Sequence, residues 1–328
     1  MPGRRSDQAS PSPRAGKGWW RTGTVVLALL VLLVAGTELA LRFILGLGDP
    51  VLIEPDSACS YVTRPNQKIF RFLVHTYINR YGMRSDEFSS DKPRGVVRVL
   101  FVGDSITYGT THVDQSQIFT QIVHRGLPAI VHHPVEVLNA SANAWAPDNE
   151  WSWVQSRGIF QSDFVLLVLN DGDVAQPRAT IDQVGDELPQ KRPATAIGEL
   201  YTRFLAPRIF RIGQHTDAGD AVVAGDVTTR ANLEDLNRFH ALVAGEQGKM
   251  ILVYVPFRRD IPTVSAPESS VLHAWAEANQ VPILDVTAAI SPHPVSEICL
   301  YDRTHFNAKG NQIVGQAILD HWPQYGLP

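Results

Sequence analysis

The stretch Val97-Arg98-Val99-Leu100-Phe101-Val102-Gly103-Asp104-Ser105 decides how the rest of the chain reads. Apart from Arg98, its first six residues are apolar and contain no turn former, the composition of a strand covered on both faces. Gly103 ends the run, and an amphipathic segment begins after Tyr108-Gly109. A serine at such a strand-to-helix turn stands at the carboxyl edge of a sheet, where open α/β folds bind ligands.

Outward from this point, strand and helix patterns alternate. Strands are expected at Val97–Val102, Val135–Asn139, Phe164–Leu169, Met250–Val255 and Ile283–Asp285. Helices are expected around Gln117–Arg125, Asn149–Arg157, Asn232–Gln247, Pro267–Asn279 and Asn307–Asp320. That alternation predicts a three-layer α/β/α sandwich with a parallel sheet of about five strands. Asp302-Arg303-Thr304-His305 precedes the last helix, so the sheet edge that carries Ser105 should also collect Asp302 and His305. A serine hydroxyl is a poor nucleophile until a base takes its proton, and a histidine with a nearby carboxylate supplies that base and its orientation. A helix cap is the plainer role for a serine at such a turn. Asp104 reads as an anchor of the turn through backbone hydrogen bonds.

The 328 residues, 44% hydrophobic and 19% charged, fit one globular domain with appendages. A net charge of -4 argues against a nucleic-acid partner, because phosphate binding needs clustered Lys and Arg. No His or Cys cluster has metal-ligand spacing; His132-His133 is adjacent and followed by proline, so neither a metal nor a cofactor is expected.

Four regions follow. Residues 1–21 form a polar tail whose Arg4, Arg5, Arg14, Lys17 and Arg21 oppose the single acid Asp7. Residues 22–47 are dominated by Val25 to Val34 and reach a spanning length of about 20 residues, interrupted by Glu38 and Arg42. The basic flank predicts a cytoplasmic N-terminus and an extracytoplasmic remainder, with Trp19-Trp20 as an interfacial anchor. A cleaved signal peptide, with Val34-Ala35-Gly36 as cleavage site, is the competing reading. Residues 48–95 read as an extension or linker punctuated by Pro55, Pro65 and Pro93, with a turn at Asn79-Arg80-Tyr81-Gly82-Met83-Arg84, and residues 96–328 form the α/β domain. Between Gly172 and Arg230 the pattern weakens, with three prolines from Gln176 to Pro193, and Glu199–Ile212 is either a lid or an ordinary surface helix. Cys59 and Cys299 could form a disulfide in an oxidising compartment, or be unrelated buried residues.

Two blocks resemble the SGNH (GDSL-type) hydrolase superfamily: Gly103-Asp104-Ser105-Ile106-Thr107-Tyr108-Gly109, and Asp302-Arg303-Thr304-His305 followed by Asn307 and Gly310. The resemblance spans about Val97 to the C-terminus. It implies a flavodoxin-like sandwich and a serine ester hydrolase with Ser105, His305 and Asp302 as triad. The second block, Asn139-Ala140-Ser141-Ala142-Asn143-Ala144, has Ala144 where the family has an oxyanion-binding glycine. Alanine serves there if its φ is negative; a positive φ would strain the turn. The third block, Leu169-Asn170-Asp171-Gly172-Asp173, offers Asn170 as the oxyanion side chain if the strand end is shortened, or Gly172 in an ungapped match. Trp145 is either a core aromatic or a wall of the cleft. The Asn79–Arg84 element and the membrane segment resemble membrane-tethered bacterial members, implying an acylated envelope glycan or related ester as substrate. Transfer of the acyl group to another hydroxyl, or a catalytically weak polysaccharide-binding module, are the other readings.

Overall fold

The structure, a computed structural model, describes residues 18–170, 172–182, 189–206, 227–256 and 270–326. The basic tail up to Lys17, Asp171, the far end of the Glu199–Ile212 segment and the first residues of the Pro267–Asn279 segment lie outside them.

Helix α1 (Gly18–Phe43) is long and apolar enough to cross a membrane. Its side chains from Val25 to Val34 are exposed, so nothing among the described residues covers them. Two antiparallel hairpins follow, β1 (Ile53–Asp56) with β2 (Ser60–Thr63), and β3 (Gln67–Arg71) with β4 (Val74–Ile78). The second closes through Phe72-Leu73, both in the left-handed region at φ 53° and 65°. A two-residue turn of this kind normally carries Asn-Gly, and each non-glycine residue there costs about 1–2 kcal/mol.

The sheet comprises β5 (Val97–Gly103), β6 (Val135–Ser141), β7 (Phe164–Leu169), β8 (Lys249–Tyr254) and β9 (Ile283–Asp285), all parallel, in the order β6-β5-β7-β8-β9. The described helices that follow α1 are α2 (Ser105–Tyr108), α3 (Phe119–Val131), α4 (Pro147–Arg157), α5 (Ala196–Glu199, continued by a π-turn to Leu205), α6 (Val227–Gly245), α7 (Val271–Ala278) and α8 (Ala308–His321), with single helical turns at Thr287–Ile290 and Val295–Ile298 between the last two. Alternate β5 residues feed two cores. Val97, Val99 and Phe101 pack with α3 and α8; Leu100 and Val102 pack with α4, α6 and α7. This is the three-layer α/β/α sandwich of flavodoxin-like order, with its switch point where β5 takes β6 on one side and β7 on the other.

Two readings of the sequence need correction. Residues 48–95 are not a linker. Val51, Ile53, Tyr61, Ile69, Ile78, Met83 and Phe88 are buried in the same core as Leu100 and Val102. Short strands separated by tight turns lack the long periodicity that marks a folded segment. The Cys59–Cys299 bridge is also absent. Cys59 belongs to the core on the α4 face and Cys299 to the core on the α8 face, with the sheet between them. Burial, with Asp56 alongside, pushes the Cys59 thiol up to about 12, so it stays protonated. Thiol titration of protein unfolded without reductant should find both cysteines reactive, and reductant should leave the melting temperature unchanged. Recovery of a peptide linked through Cys59 and Cys299 would contradict this arrangement.

Candidate active site

Ser105 is placed by the end of β5. Gly103 allows the turn because a Cβ there would meet Thr107 Oγ1 at 2.2 Å and the Val168 carbonyl at 3.0 Å. Asp104 caps α2, its Oδ1 accepting from the Ile106 N–H at 2.8 Å. The Gly109 N–H closes the short helix on the Ser105 carbonyl, with φ 80°. Asn139 on β6 ties it down further, its amide donating to the Thr107 carbonyl at 2.9 Å.

The chain then returns from the far end of the sequence. His305 Nε2 lies 2.8 Å from Ser105 Oγ, and its Nδ1 lies 2.7 Å from Asp302 Oδ2. The other Asp302 oxygen accepts the Thr304 and His305 N–H groups at 2.9 and 3.0 Å. Burial pushes the Asp302 carboxyl up, but the His305 and backbone donors outweigh it and hold it at about 2. Asp302 is therefore ionised wherever a histidine can act as a base. Ser105 Oγ also lies 3.4 Å from Asp104 Oδ2, a weaker contact than that to His305. With Nδ1–H donating to Asp302, Nε2 is the acceptor for the serine proton, the arrangement that turns a hydroxyl into a nucleophile.

The sequence does not announce what holds this loop. Asn307 caps α8 by accepting from the Lys309 and Gly310 N–H groups, and its amide donates to the Glu297 and Cys299 carbonyls. The buried Asn311 accepts from the Phe119 N–H at 2.9 Å, and its amide donates to the Phe306 and Asn307 carbonyls. A signal was present: Asn311 shares a helical stripe with the buried Val314 and Ile318. Arg84 was also missed. Buried and without a carboxylate partner among the described residues, it donates to the Tyr108, Thr110 and Val113 carbonyls and to Gln115, which fixes the chain leaving α2.

Other predicted residues fall differently. Ala144 is exposed beside this edge with φ 61°, the strained alternative for its turn. Asn170 follows β7, whose Val168 pairs with Gly103, so it shares the edge. Its amide gives one hydrogen to Asp173 Oδ2 at 2.9 Å and has a second hydrogen to offer, whereas the Gly172 N–H is taken by Asn170 Oδ1 at 2.7 Å. Trp145 is a correction. It is 1% exposed, packs against Tyr61 and Trp153, and donates its indole N–H to the Tyr61 carbonyl, so it supports the core and lines no cleft.

Acidic groups lie behind the serine. Burial raises Asp104 above the usual carboxyl range, though the Ile106 N–H and His305 oppose the shift. Glu150 on α4 is fully buried with neither carboxyl oxygen hydrogen-bonded, and burial, reinforced by Asp173 and Asp104, pushes it well above its ordinary value.

No protein-family model matches the chain, and no curated protein matches it. Among solved structures, a lipase/acylhydrolase from Enterococcus faecalis is similar at 18% identity and TM-score 0.45, over 71% of this chain and 98% of that one. A member of the lipolytic protein G-D-S-L family from Veillonella parvula DSM 2008 is similar at 13% and 0.42, over 70% and 99%. A mutant of an acetyl-xylooligosaccharide esterase from Geobacillus Stearmophilus is similar at 15% and 0.43, over 68% and 93%. At these identities and TM-scores none of them defines what this chain does.

Two measurements test the site's construction. Ala144→Gly removes a left-handed alanine and should stabilise the fold by about 1 kcal/mol in chemical denaturation. An unchanged or lowered stability would mean that the turn carries no strain. Glu150 binds a proton when folded that it has lost when unfolded, so its contribution to stability is present below the unfolded value of about 4.3 and declines as pH rises toward the raised folded value. The stability of Glu150→Gln relative to the parent should therefore grow with pH, by up to about 1.4 kcal/mol per pH unit. A difference independent of pH would place Glu150 in an ordinary carboxyl environment.

Proposed function

We propose that this chain is a serine ester hydrolase of the SGNH (GDSL-type) superfamily, anchored to a membrane with its α/β domain extracytoplasmic. The observation that carries the reading is the continuous hydrogen-bond path from Ser105 Oγ through His305 to an ionised Asp302. Ser105 Oγ attacks the ester carbonyl as His305 Nε2 takes its proton, and Asp302 holds the imidazolium that forms. The N–H groups of Ser105 and Ala144 and the Asn170 amide stabilise the oxyanion, where each donor is worth about 10²–10³ in turnover. His305 returns the proton to the leaving alcohol, and water, activated by the same base, releases the acyl group from Ser105. The substrate class is a short, acetyl-like ester on a cell-envelope glycan or related acylated molecule.

Retention of α1 as an anchor is favoured over cleavage by its contacts. The Glu38 carboxylate accepts the Ala196 and Ile197 N–H groups at 2.8 and 2.9 Å, and Arg42 donates to the Ala194 carbonyl at 3.0 Å. A cut after Gly36 would leave these contacts on a loose end. The basic flank before α1 supports a cytoplasmic N-terminus.

A fluorophosphonate probe should label Ser105 in the full-length protein, with the adduct mapped by mass spectrometry. Ser105→Ala should abolish labelling, and either His305→Ala or Asp302→Asn should reduce hydrolysis of an activated acetyl ester by about 10³–10⁴ or more. A folded protein that takes no label would leave the binding-module reading in its place.

A further inference from the structure

We infer that the β3–β4 hairpin tip and the π-turn after α5 form an interfacial contact surface, seated at the headgroup–acyl boundary of the bilayer that α1 crosses. The inference rests on α1 being a retained span. Four residues that belong in water only reluctantly crowd the exit of that helix: Ile44, Leu73, Tyr201 and Leu205 are 59%, 67%, 50% and 43% exposed.

They are held there by a rigid junction. The Phe72 N–H donates to the Leu45 carbonyl at 2.9 Å, and Arg71 donates to the Gly46 carbonyl at 3.2 Å. The Glu199 carboxylate, inaccessible to solvent, pairs with Arg71 at 2.6 Å and accepts from the Gly48 N–H at 2.5 Å. Hairpin, π-turn and span exit are thus fixed to one another around the buried Glu199 carboxylate, which Arg71 and Arg203 share. A surface so tied to a spanning helix cannot drift far from the interface that the helix defines.

The hairpin tip argues for lipid rather than water as its neighbour. Asn-Gly would form this turn without strain and be soluble. The chain instead places Phe72 and Leu73 in left-handed conformations, with Leu73 projecting as the most exposed of the four. Apolar and aromatic side chains at this depth are favoured by the bilayer boundary. The face also leads to the proposed active site. The Phe72 ring stacks on His112 with centroids 4.8 Å apart, and His112 meets the exposed Tyr301 at 6.0 Å, one residue before Asp302.

The test uses full-length protein in phosphatidylcholine vesicles, with a fluorophore on Leu73→Cys or, on a separate element, Tyr201→Cys. The buried Cys59 and Cys299 are poor competitors for labelling, and a label at Val31→Cys in the span serves as reference. Expected is quenching at positions 73 and 201 that is stronger by a nitroxide near the carbonyl end of the acyl chain than by one near its methyl end, with the reverse order at position 31. Labels at 73 and 201 that respond to aqueous iodide but not to lipid, while position 31 responds to lipid, would overturn the inference and leave the span intact. Labels shielded from both iodide and lipid would overturn it in favour of a protein partner. Loss of lipid quenching at position 31 as well would remove the span and the inference together. None of these outcomes depends on Ser105, so the esterase reading is judged separately by its own labelling.

Discussion

Strand β5 is the constraint to which the rest of the structure answers. It pairs in parallel with β6 through Val97↔Val135 to Gly103↔Ser141 and with β7 through Val99↔Phe164 to Gly103↔Val168. Two parallel neighbours force crossovers in opposite directions, which opens a crevice at the carboxyl end of β5. Ser105 stands at that crevice. Because Gly103 is the last paired residue on both sides, the Ser105 turn has no register freedom, and a slip by one residue would turn the two buried faces inside out. The loop carrying Asp302 and His305 needs only to be delivered to a fixed point.

Delivery is the work of polar side chains in an apolar setting. Asn311 joins the start of α3 to the loop before α8, and Asn307 joins the start of α8 to the carbonyls that precede Asp302. Each bond satisfies a backbone group that would otherwise be buried or orphaned, so these amides stabilise the loop and set its geometry together. The cost appears elsewhere at the same edge. Ala144 and Arg303 take left-handed conformations, at φ 61° and 63°, and Glu150 is buried without a partner. Strain and an unpaired acid cluster where the chain must present reactive groups, and the two cores beneath are large enough to hold them.

How much of this was legible in the sequence follows from the physics of each signal. The five strands were readable within one or two residues because buried parallel strands are unbroken apolar runs between turn formers. That Ser105, Asp302 and His305 share one sheet edge was readable because strand and helix boundaries fix where Ser105 and His305 must stand. Trp145 was not decided, since an indole after a strand serves a core or a cleft equally well until its neighbours Tyr61 and Trp153 are in place. The sign of the Ala144 φ was open because it depends on the turn between Ala142 and Trp145, not on alanine's own preference. The cysteines were undecidable for a similar reason: sequence gives their number, while only the sheet shows that it separates them.

The largest misreading, the segment between residues 48 and 95, changes where the domain begins. Arg84 in this segment donates to three carbonyls at and just beyond the end of α2, and its own N–H donates to the Asn139 carbonyl on β6. Tyr61 donates to the Asn143 carbonyl, next to Ala144. The segment therefore braces both the Ser105 turn and the turn that carries Ala144. An isolated 96–328 fragment would expose the core that Ile53, Tyr61 and Met83 cover and would leave the carbonyls of Tyr108 and Val113 without the guanidinium that now satisfies them. A buried cation held by carbonyls and by the Tyr108 ring, 5.1 Å away, is weak as a source of net stability, because burial lowers Arg84 to about 10. Its value is geometric: a planar donor fork fits few arrangements of acceptors, so the chain leaving Ser105 is held in one of them. The folded unit accordingly starts at the exit of α1, and the hairpins and the α/β sandwich form one continuous construction around Ser105.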